Sequence, residues 1–352
     1  MPDPKQSHTN SDQQGERKKT ASSTLPKAVA CAEAIRAGDR QALARAITWI
    51  ESTRADYKQL GKEILSHSLP HTGNSLRIAV TGVPGVGKST FIEAFGTRLL
   101  DEGKRVAVLA IDPSSSLSHG SILGDKTRMQ KLSQHPDAFI RPSPTSGRLG
   151  GVALTTRESM LLCEAAGFDI LLIETTGVGQ SETAAHSMTD LFLLLVLAGA
   201  GDELQGIKRG MMEMADLVAV NKAEPANSQA VSRTKHEIES ALSLMPQPLP
   251  DWSPSVLTCS SLKNIGIDEV WKLVQDFTRL SKTTGAFENR RASQAIYWMH
   301  ETLKEEIIRI FYRHPDIEEN LKQTEERVKN GSISIYEATT ELMRMAGIKQ
   351  PS

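Results

Sequence analysis

Six short apolar runs in the middle of the chain restrict its fold more than any other feature. They lie between about residues 74 and 280 and read LRIAV, RVAVLAI, FDILLI, DLFLLLVL, DLVAV and PSVLT. Apolar runs without polar alternation indicate strands that are buried on both faces, and most of these runs lead into a segment of helical periodicity. The sequence therefore predicts an α/β fold with a mainly parallel sheet flanked by helices. Such sheets bind their ligands at the carboxyl ends of the strands.

The first apolar run leads into GVPGVGKST, which has the pattern of a phosphate-binding loop (P-loop). Glycines let backbone N–H groups turn toward an anion, and the N-terminus of the next helix adds positive potential. Lys88 is predicted to neutralise the β- and γ-phosphates, and Ser89 to ligate Mg²⁺. We predict a nucleoside triphosphate site in a P-loop NTPase fold, with a loop formed by Gly82, Val83, Pro84, Gly85, Val86, Gly87, Lys88, Ser89 and Thr90.

The NKAE stretch after a later apolar run predicts which base is bound. The Glu224 carboxylate can accept hydrogen bonds from N1–H and the exocyclic amine of guanine, whereas N1 of adenine is itself an acceptor. The Lys222 stem can lie over the base plane, and the Asn221 amide can join this loop to the phosphate loop. Guanine-specific enzymes of this kind carry Asn-Lys-x-Asp, so Glu224 changes the reach by one methylene. The TCSSLK stretch resembles the companion loop that contacts guanine O6, here with Ser260, Ser261 and Leu262.

The IETTGVGQSE stretch follows another buried run and predicts a nucleotide-sensing switch. Glu174 is expected to hold Mg²⁺ through water, and the Gly177 amide to contact the γ-phosphate, so that the loop is ordered only with GTP. Ras-like proteins place a water-positioning glutamine directly after this glycine. Here Val178 occupies that position and Gln180 comes two residues later. We therefore expect slow intrinsic hydrolysis that a rearrangement or a partner completes.

Two further polar stretches follow apolar runs and are predicted to be switches as well. In AIDPSSSLSHGSILGDKTRM, Asp112 is expected to be a second carboxylate around Mg²⁺, and Asp125 or Lys126 to belong to a mobile switch. In GAGDELQGIKRG, Lys208 or Arg209 is expected to reach the γ-phosphate or a partner surface.

The flanking segments differ from the sheet region, and the sequence predicts four parts. Residues 1–25 are polar and are predicted to be a disordered tail, and residues 26–72 a helical lead-in. Residues 73–282 form the predicted P-loop GTPase domain, and residues 283–352 a helical arm. The arm is expected to join two subunits or to pack on its own domain through an apolar stripe, which consists of Ile296, Met299, Leu303, Ile307 and Ile310.

Composition excludes several other classes of protein. A formal net charge of -1 argues against a broad affinity for nucleic acid or for anionic membranes. The longest apolar run, LFLLLVLAGA, is about half the length that a membrane span needs. The polar N-terminal segment lacks the apolar centre of a secretory signal. The three cysteines form no CxxC pair. We expect a cytoplasmic protein without nucleic-acid or membrane partners.

The quoted stretches together resemble the methylmalonyl-CoA mutase-associated GTPases, also called the MeaB or ArgK type, over nearly the whole chain. The resemblance implies a homodimeric chaperone for an adenosylcobalamin-dependent acyl-CoA mutase. Such proteins use GTP, GDP and Mg²⁺ to couple GTP binding and hydrolysis to cofactor loading and to protection or reactivation of the mutase. The family has aspartate where this chain has Glu224, whereas it also uses glutamate at the position of Glu174.

Two alternative functions remain open on the sequence. A metallochaperone GTPase that delivers nickel, zinc or cobalt is the first, although the chain lacks the Cys-rich or His-rich motifs that such proteins usually show. A translocation or membrane-targeting GTPase is the second, suggested by Met211, Met212 and Met214. Methionines at that spacing beside Ala215 are more typical of a buried core.

Overall fold

The computed structural model describes residues 25–111, 129–142, 149–177, 180–198, 209–247, 249 and 251–348. Its centre is a seven-stranded sheet with the order β3-β2-β4-β1-β5-β6-β7, and every neighbouring pair is parallel. The predicted α/β fold is therefore confirmed. The strands are β1 Leu76–Thr81, β2 Val106–Ile111, β3 Ala138–Arg141, β4 Ile170–Thr175, β5 Leu191–Leu197, β6 Leu217–Asn221 and β7 Ser255–Thr258.

Strand β3 was absent from the six strands expected from the sequence. It has only four residues and pairs with β2 at one edge of the sheet. Its sequence is AFIR, so Arg141 closes the apolar run after three residues.

Helices precede the sheet, connect its strands and follow it, which confirms the expected N- and C-terminal helices. Asp39 caps the second helix, because its carboxylate accepts hydrogen bonds from the backbone N–H of Gln41 at 2.8 Å and of Ala42 at 3.1 Å. The helices are α1 25–36, α2 Arg40–Glu51, α3 Ala55–Ser68, α4 Lys88–Asp101, α5 Gln130–Gln134, α6 Leu149–Ala165, α7 Gln180–His186, α8 Arg209–Met214, α9 Ser228–Leu242, α10 Ile267–Thr283, α11 Ala286–Tyr312, α12 Pro315–Lys329 and α13 Ile335–Met345.

The core lies where α4 and α10 cover one face of the sheet. Phe91 and Phe95 of α4 stack with ring centroids 5.4 Å apart, and Phe95 meets Trp271 of α10 edge to face at 6.0 Å. Both phenylalanines are fully buried, together with Ile92 and Leu99 on the same side of α4. This packing fixes the start of α4, where the phosphate loop ends.

The amino ends of β5 and β6 carry buried ion pairs with two adjacent arginines of α11. Asp190 receives two hydrogen bonds at 2.7 Å from Arg291, and Asp216 receives two at 2.9 Å from Arg290. Both aspartates are at most 2% exposed. Each pair is bidentate, which is the geometry in which a buried arginine and a carboxylate best satisfy one another.

A third buried ion pair joins β1 to the end of α6. The Arg77 guanidinium donates to the two oxygens of Glu164 at 2.7 and 3.0 Å. Glu164 also accepts a hydrogen bond from the backbone N–H of Gly73 at 2.9 Å. Each of these three buried carboxylates at the amino end of the sheet is therefore satisfied by an arginine.

The chain divides into two compact units between Gln294 and Ala295. The second unit contains the larger part of α11, from Ala295 onward, with α12 and α13. Arg327 of α12 donates to both oxygens of Glu341 of α13 at 3.0 Å. The five residues of the predicted apolar stripe lie on α11 and are 54 to 62% exposed. Among the described residues, every helix is too short or too polar to span a lipid bilayer.

Candidate functional site

The phosphate loop connects the end of β1 to the first residue of α4. Gly82, at φ 146°, begins it, and Gly87, at φ 96°, ends it in the left-handed region that favours glycine. A Cβ at Gly82 would lie 2.4 Å from the backbone oxygen of Leu195 in the neighbouring strand β5. A side chain therefore has no room where the loop leaves the sheet.

Lys88 lies inside this loop and contacts its backbone. The ammonium donates to the carbonyl oxygens of Gly82 at 2.8 Å and of Val83 at 3.2 Å. Burial lowers the pKa of Lys88, and the nearby carboxylates of Glu174 and Glu182 act against that shift. The lysine is thus a partly buried cation that is held by the carbonyls of its own loop.

Ser89 and Glu174 bring together the two predicted ligands of Mg²⁺ that the structure describes. The Ser89 hydroxyl, in the first turn of α4, donates to the Glu174 carboxylate at the end of β4 at 2.8 Å. Hydroxyl and carboxylate oxygens are the donors that Mg²⁺ prefers, so this pair fits the ion. Asp112 and Asp125 lie outside the described residues, within which no cluster of three or more His, Cys, Asp or Glu side chains is placed to hold a metal.

Gly177, two residues after the end of β4, lies directly against the phosphate loop. A Cβ at this residue would lie 2.2 Å from the backbone oxygen of Gly82 and 3.2 Å from the Lys88 ammonium. Only glycine permits this approach. Gln180 begins α7 with an exposed side chain, while Val178 lies outside the described residues.

The NKAE loop is joined to the phosphate loop through two side chains. The Asn221 amide donates to the Val86 carbonyl at 2.9 Å and accepts from the backbone N–H and the hydroxyl of Ser261 at 3.1 and 2.7 Å. Lys222, at φ 57°, donates to the Gly85 carbonyl at 3.0 Å. Three loops are therefore held together by hydrogen bonds.

Glu224 has a hydrogen-bonded partner in the companion loop. The Ser260 hydroxyl donates to its carboxylate at 2.8 Å, whereas Leu262 points outward and is 79% exposed. Cys259, to which no motif in the sequence points, lies between these elements. Its thiol is 3.6 Å from the Asn221 oxygen, and burial raises its pKa to about 12. It therefore acts as a packed, protonated side chain rather than as a nucleophile.

A cavity of about 510 Å³ lies between the phosphate loop and the carboxyl ends of β2 and β4. The cavity is lined by Pro84, Gly85, Gly87, Lys88, Ser89, Thr90, Ala110, Ile111, Glu174, Thr175 and Thr176.

At the third predicted switch, Arg209 begins α8 and forms an ion pair with Glu213 at 2.9 Å, while Lys208 lies outside the described residues.

Glu182 is a feature of the site that the sequence analysis missed. It is fully buried, and neither carboxylate oxygen has a hydrogen-bond partner among the described residues. The GQSE stretch in which it lies is polar, so hydropathy gave no signal of burial. Its position on the first turn of α7 shows only in three dimensions.

The parallel sheet, the glycine loop at a strand end and the lysine at the start of α4 define a P-loop NTPase. A solved structure described as an LAO/AO transport system kinase is similar to the chain, with a TM-score of 0.71 and 37% sequence identity. That match covers 97% of this chain and 100% of the solved one. Both the fold and the predicted nucleoside triphosphatase class are confirmed.

The chain belongs to the family described as methylmalonyl Co-A mutase-associated GTPase MeaB, whose model matches residues 43–316. GTPase ArgK of Escherichia coli is 46% identical, with 85% of this chain and 91% of that protein covered. A methylmalonic aciduria type A homolog, mitochondrial, from Mus musculus is 43% identical, with 87% and 76% covered. The chain is therefore a guanine-nucleotide-binding, GTP-hydrolysing enzyme.

Proposed function

We propose that this GTPase is a chaperone for an adenosylcobalamin-dependent acyl-CoA mutase of the methylmalonyl-CoA mutase type. Nucleotide state is coupled to loading of the cofactor and to protection or reactivation of the mutase. Membership of the mutase-associated family carries the proposal. It is supported by a switch glycine, Gly177, that contacts the phosphate loop beside Lys88, where the γ-phosphate of GTP would lie.

The phosphates and Mg²⁺ are assigned to the start of α4 and the end of β4. Lys88 would leave the carbonyls of its own loop and pair with the β- and γ-phosphates. Ser89 and Glu174 would hold Mg²⁺, with Asp112 and Asp125 completing the set. The ion would neutralise charge that develops on the phosphates during transfer.

Hydrolysis is assigned to the segment after β4 and is slow without a partner. The Gly177 amide contacts the γ-phosphate, and Gln180 orients water only after a rearrangement, since its side chain is exposed in this structure. Lys208 is proposed to reach the γ-phosphate or the mutase, so contact with the mutase stimulates the reaction.

Recognition of guanine is assigned to the NKAE loop and its companion. Glu224, held by Ser260, accepts from N1–H and the exocyclic amine, while the Lys222 stem covers the base. The extra methylene relative to aspartate is accommodated by this serine contact at 2.8 Å. The backbone N–H groups of Ser261 and Leu262 are proposed to donate to guanine O6.

The arm after the GTPase domain is proposed to form a homodimer. Its apolar stripe is exposed on α11, and a second copy of the same stripe would cover it. We place the protein in the cytoplasm, without nucleic-acid or membrane partners, in keeping with the net charge of -1.

The deciding experiment measures GTP hydrolysis with and without a purified adenosylcobalamin-dependent methylmalonyl-CoA mutase. We expect slow GTP turnover that the mutase accelerates at least about tenfold, since one completed charge contact at a phosphoryl group is worth that much or more. ATP replaces GTP as the control for the base, and Lys88→Ala as the control for the site.

Each other outcome has a defined meaning. GTP turnover that the mutase leaves unchanged would contradict the mutase as client and favour a metal-delivering GTPase instead. Stimulated binding of adenosylcobalamin to the mutase, measured by its visible absorption, would separate cofactor loading from simple association.

A further inference from the structure

Two buried hydroxyl groups meet where the strands β1 and β4 end. The Thr175 hydroxyl donates to the Thr81 hydroxyl oxygen at 2.9 Å, and the two residues are 1% and 0% exposed. Thr81 is the last residue of β1, and Thr175 is the last residue of β4. The residues just before them, Val80 and Glu174, are partners in the parallel ladder. The bond therefore joins two neighbouring strands at the point where both leave the sheet.

Each threonine is the immediate chain neighbour of a residue of the assigned nucleotide site. Gly82, which follows Thr81, begins the phosphate loop. Glu174, which precedes Thr175, receives the Ser89 hydroxyl at 2.8 Å. A shift of either strand end would therefore move the phosphate loop and the start of α4 relative to the carboxylate.

The surroundings of the pair are apolar, so packing alone does not explain two hydroxyl groups there. The ladder partner of Thr81 in β5 is Leu194, the ladder partner of Thr175 in β2 is Ile111, and both partners are buried. Valine has the branched shape of threonine, and replacing both members of a buried hydrogen-bonded pair by apolar groups of the same shape is nearly neutral for stability. Valine would not supply direction, because apolar contact is non-directional whereas a hydrogen bond has a preferred distance and angle.

We propose that Thr81 and Thr175 are positioning residues for bound Mg²⁺: their hydroxyl bond holds the end of β4 against β1, so that Glu174 keeps its place beside Ser89. The proposal rests on the nucleotide and Mg²⁺ site assigned above. Successive side chains of a strand point to opposite faces, so Thr175 acts through Glu174 and not on the ion itself. Contacts that orient a metal ligand in this way typically change metal affinity about ten- to a hundredfold when they are lost.

A purely structural role and a positioning role predict different results for the same variants. A pair that only fills space would tolerate valine at both positions without any effect on the metal. A pair that positions Glu174 would tolerate two valines for stability and still lose metal affinity. A single valine leaves the other hydroxyl without its partner, so the double variant should be at least as stable as either single variant.

The test measures binding of Mn²⁺, a paramagnetic substitute for Mg²⁺, to the full chain with GDP by electron paramagnetic resonance. We expect the double variant Thr81→Val with Thr175→Val to bind Mn²⁺ about tenfold more weakly than the wild type. Affinity for fluorescent GDP in EDTA, which removes the metal, should stay at the wild-type level because Lys88 and the loop glycines are unchanged. Thr175→Ser keeps the hydroxyl and should retain the wild-type affinity for Mn²⁺.

Thr156→Val is the matched control for removal of a buried threonine hydroxyl. Thr156 is 4% exposed, and its hydroxyl donates to the carbonyl of Val152 at 2.9 Å within its own helix, α6. This variant should leave the affinity for Mn²⁺ unchanged.

Several outcomes would overturn the proposal. Wild-type Mn²⁺ affinity in the double variant would do so, as would an equal loss of metal-free GDP affinity, which would indicate a general distortion of the site. Denaturant unfolding of the double variant should give the wild-type stability, so its failure to fold would also contradict the positioning role. If the wild-type chain binds neither GDP nor Mn²⁺, the assigned site fails as well; if it binds both and the valines change nothing, only this inference fails.

Discussion

The two ends of the sheet treat buried charge in opposite ways. At the amino end, Asp190, Asp216 and Glu164 each receive a bidentate arginine. At the carboxyl end, the Lys88 ammonium donates only to backbone carbonyls within the part of the chain that the structure describes. Neither oxygen of the Glu182 carboxylate has a hydrogen-bond partner there. The paired charges at the amino end are held within the protein, whereas the Lys88 ammonium, bonded only to backbone carbonyls, is available to a ligand. The difference indicates that the carboxyl end of the sheet binds the nucleotide, whereas the charges at the amino end only stabilise the fold.

The largest effect should come from breaking a pair at the amino end. Asp190→Asn removes the charge that neutralises Arg291, and leaving one member of a buried pair alone costs about 3–5 kcal/mol of unfolding free energy. Denaturant unfolding measures this loss, while GTP affinity of the folded variant should stay at the wild-type level. Asp276→Asn makes the same change in an exposed pair with Arg279 and should cost no more than about 0.5 kcal/mol. Equal costs at the two positions would contradict the division between the ends.

Removing a charged side chain at the carboxyl end should lower the affinity for GTP and leave the fold unchanged. Lys88→Ala removes the ammonium that pairs with the phosphates and should lower GTP affinity at least about a hundredfold, because charged hydrogen bonds are worth about 1.5–3 kcal/mol each. Calorimetric titration measures the affinity, and circular dichroism verifies the fold. Lys272→Ala, at an exposed position of α10, is the matched control. GTP affinity that is unchanged in Lys88→Ala would refute the assignment of the phosphate loop.

A smaller effect is expected where the carboxyl end selects the base. Glu224→Ala should reduce the preference for GTP over ATP about tenfold, since the carboxylate satisfies two donors of guanine. Glu224→Asp should keep or tighten the preference. Ser260→Ala, which removes only the hydroxyl that holds Glu224, should cost a few fold at most. Competition of ATP against fluorescent GDP gives these ratios, and an alanine variant that still rejects ATP would show that another group reads the base.

The fold could be predicted from the sequence because its strands and its phosphate loop are each encoded by residues that are adjacent in the chain. Continuous apolar runs identified the central strands, and the GVPGVGKST stretch identified the loop between β1 and α4. The short edge strand β3 escaped because AFIR ends in a charge after three apolar residues.

Much of the candidate site was out of reach because its contacts join distant residues. Arg77 and Glu164 are 87 positions apart, and no pattern in either segment announces the pair. Glu182 lies in a polar stretch that is typical of the surface. The proximity of the strand ends could be predicted from parallel topology, but which side chains are satisfied there depends on the packed structure.

Asn221 has a consequence for the thermodynamics of binding. It bonds the phosphate loop at Val86 and the companion loop at Ser261, so the pieces that meet the base and the phosphates are assembled before any ligand arrives. Preorganisation of this kind reduces the entropy cost of ordering a site. Nucleotide binding therefore loses little entropy to ordering these loops, which Asn221 already holds together.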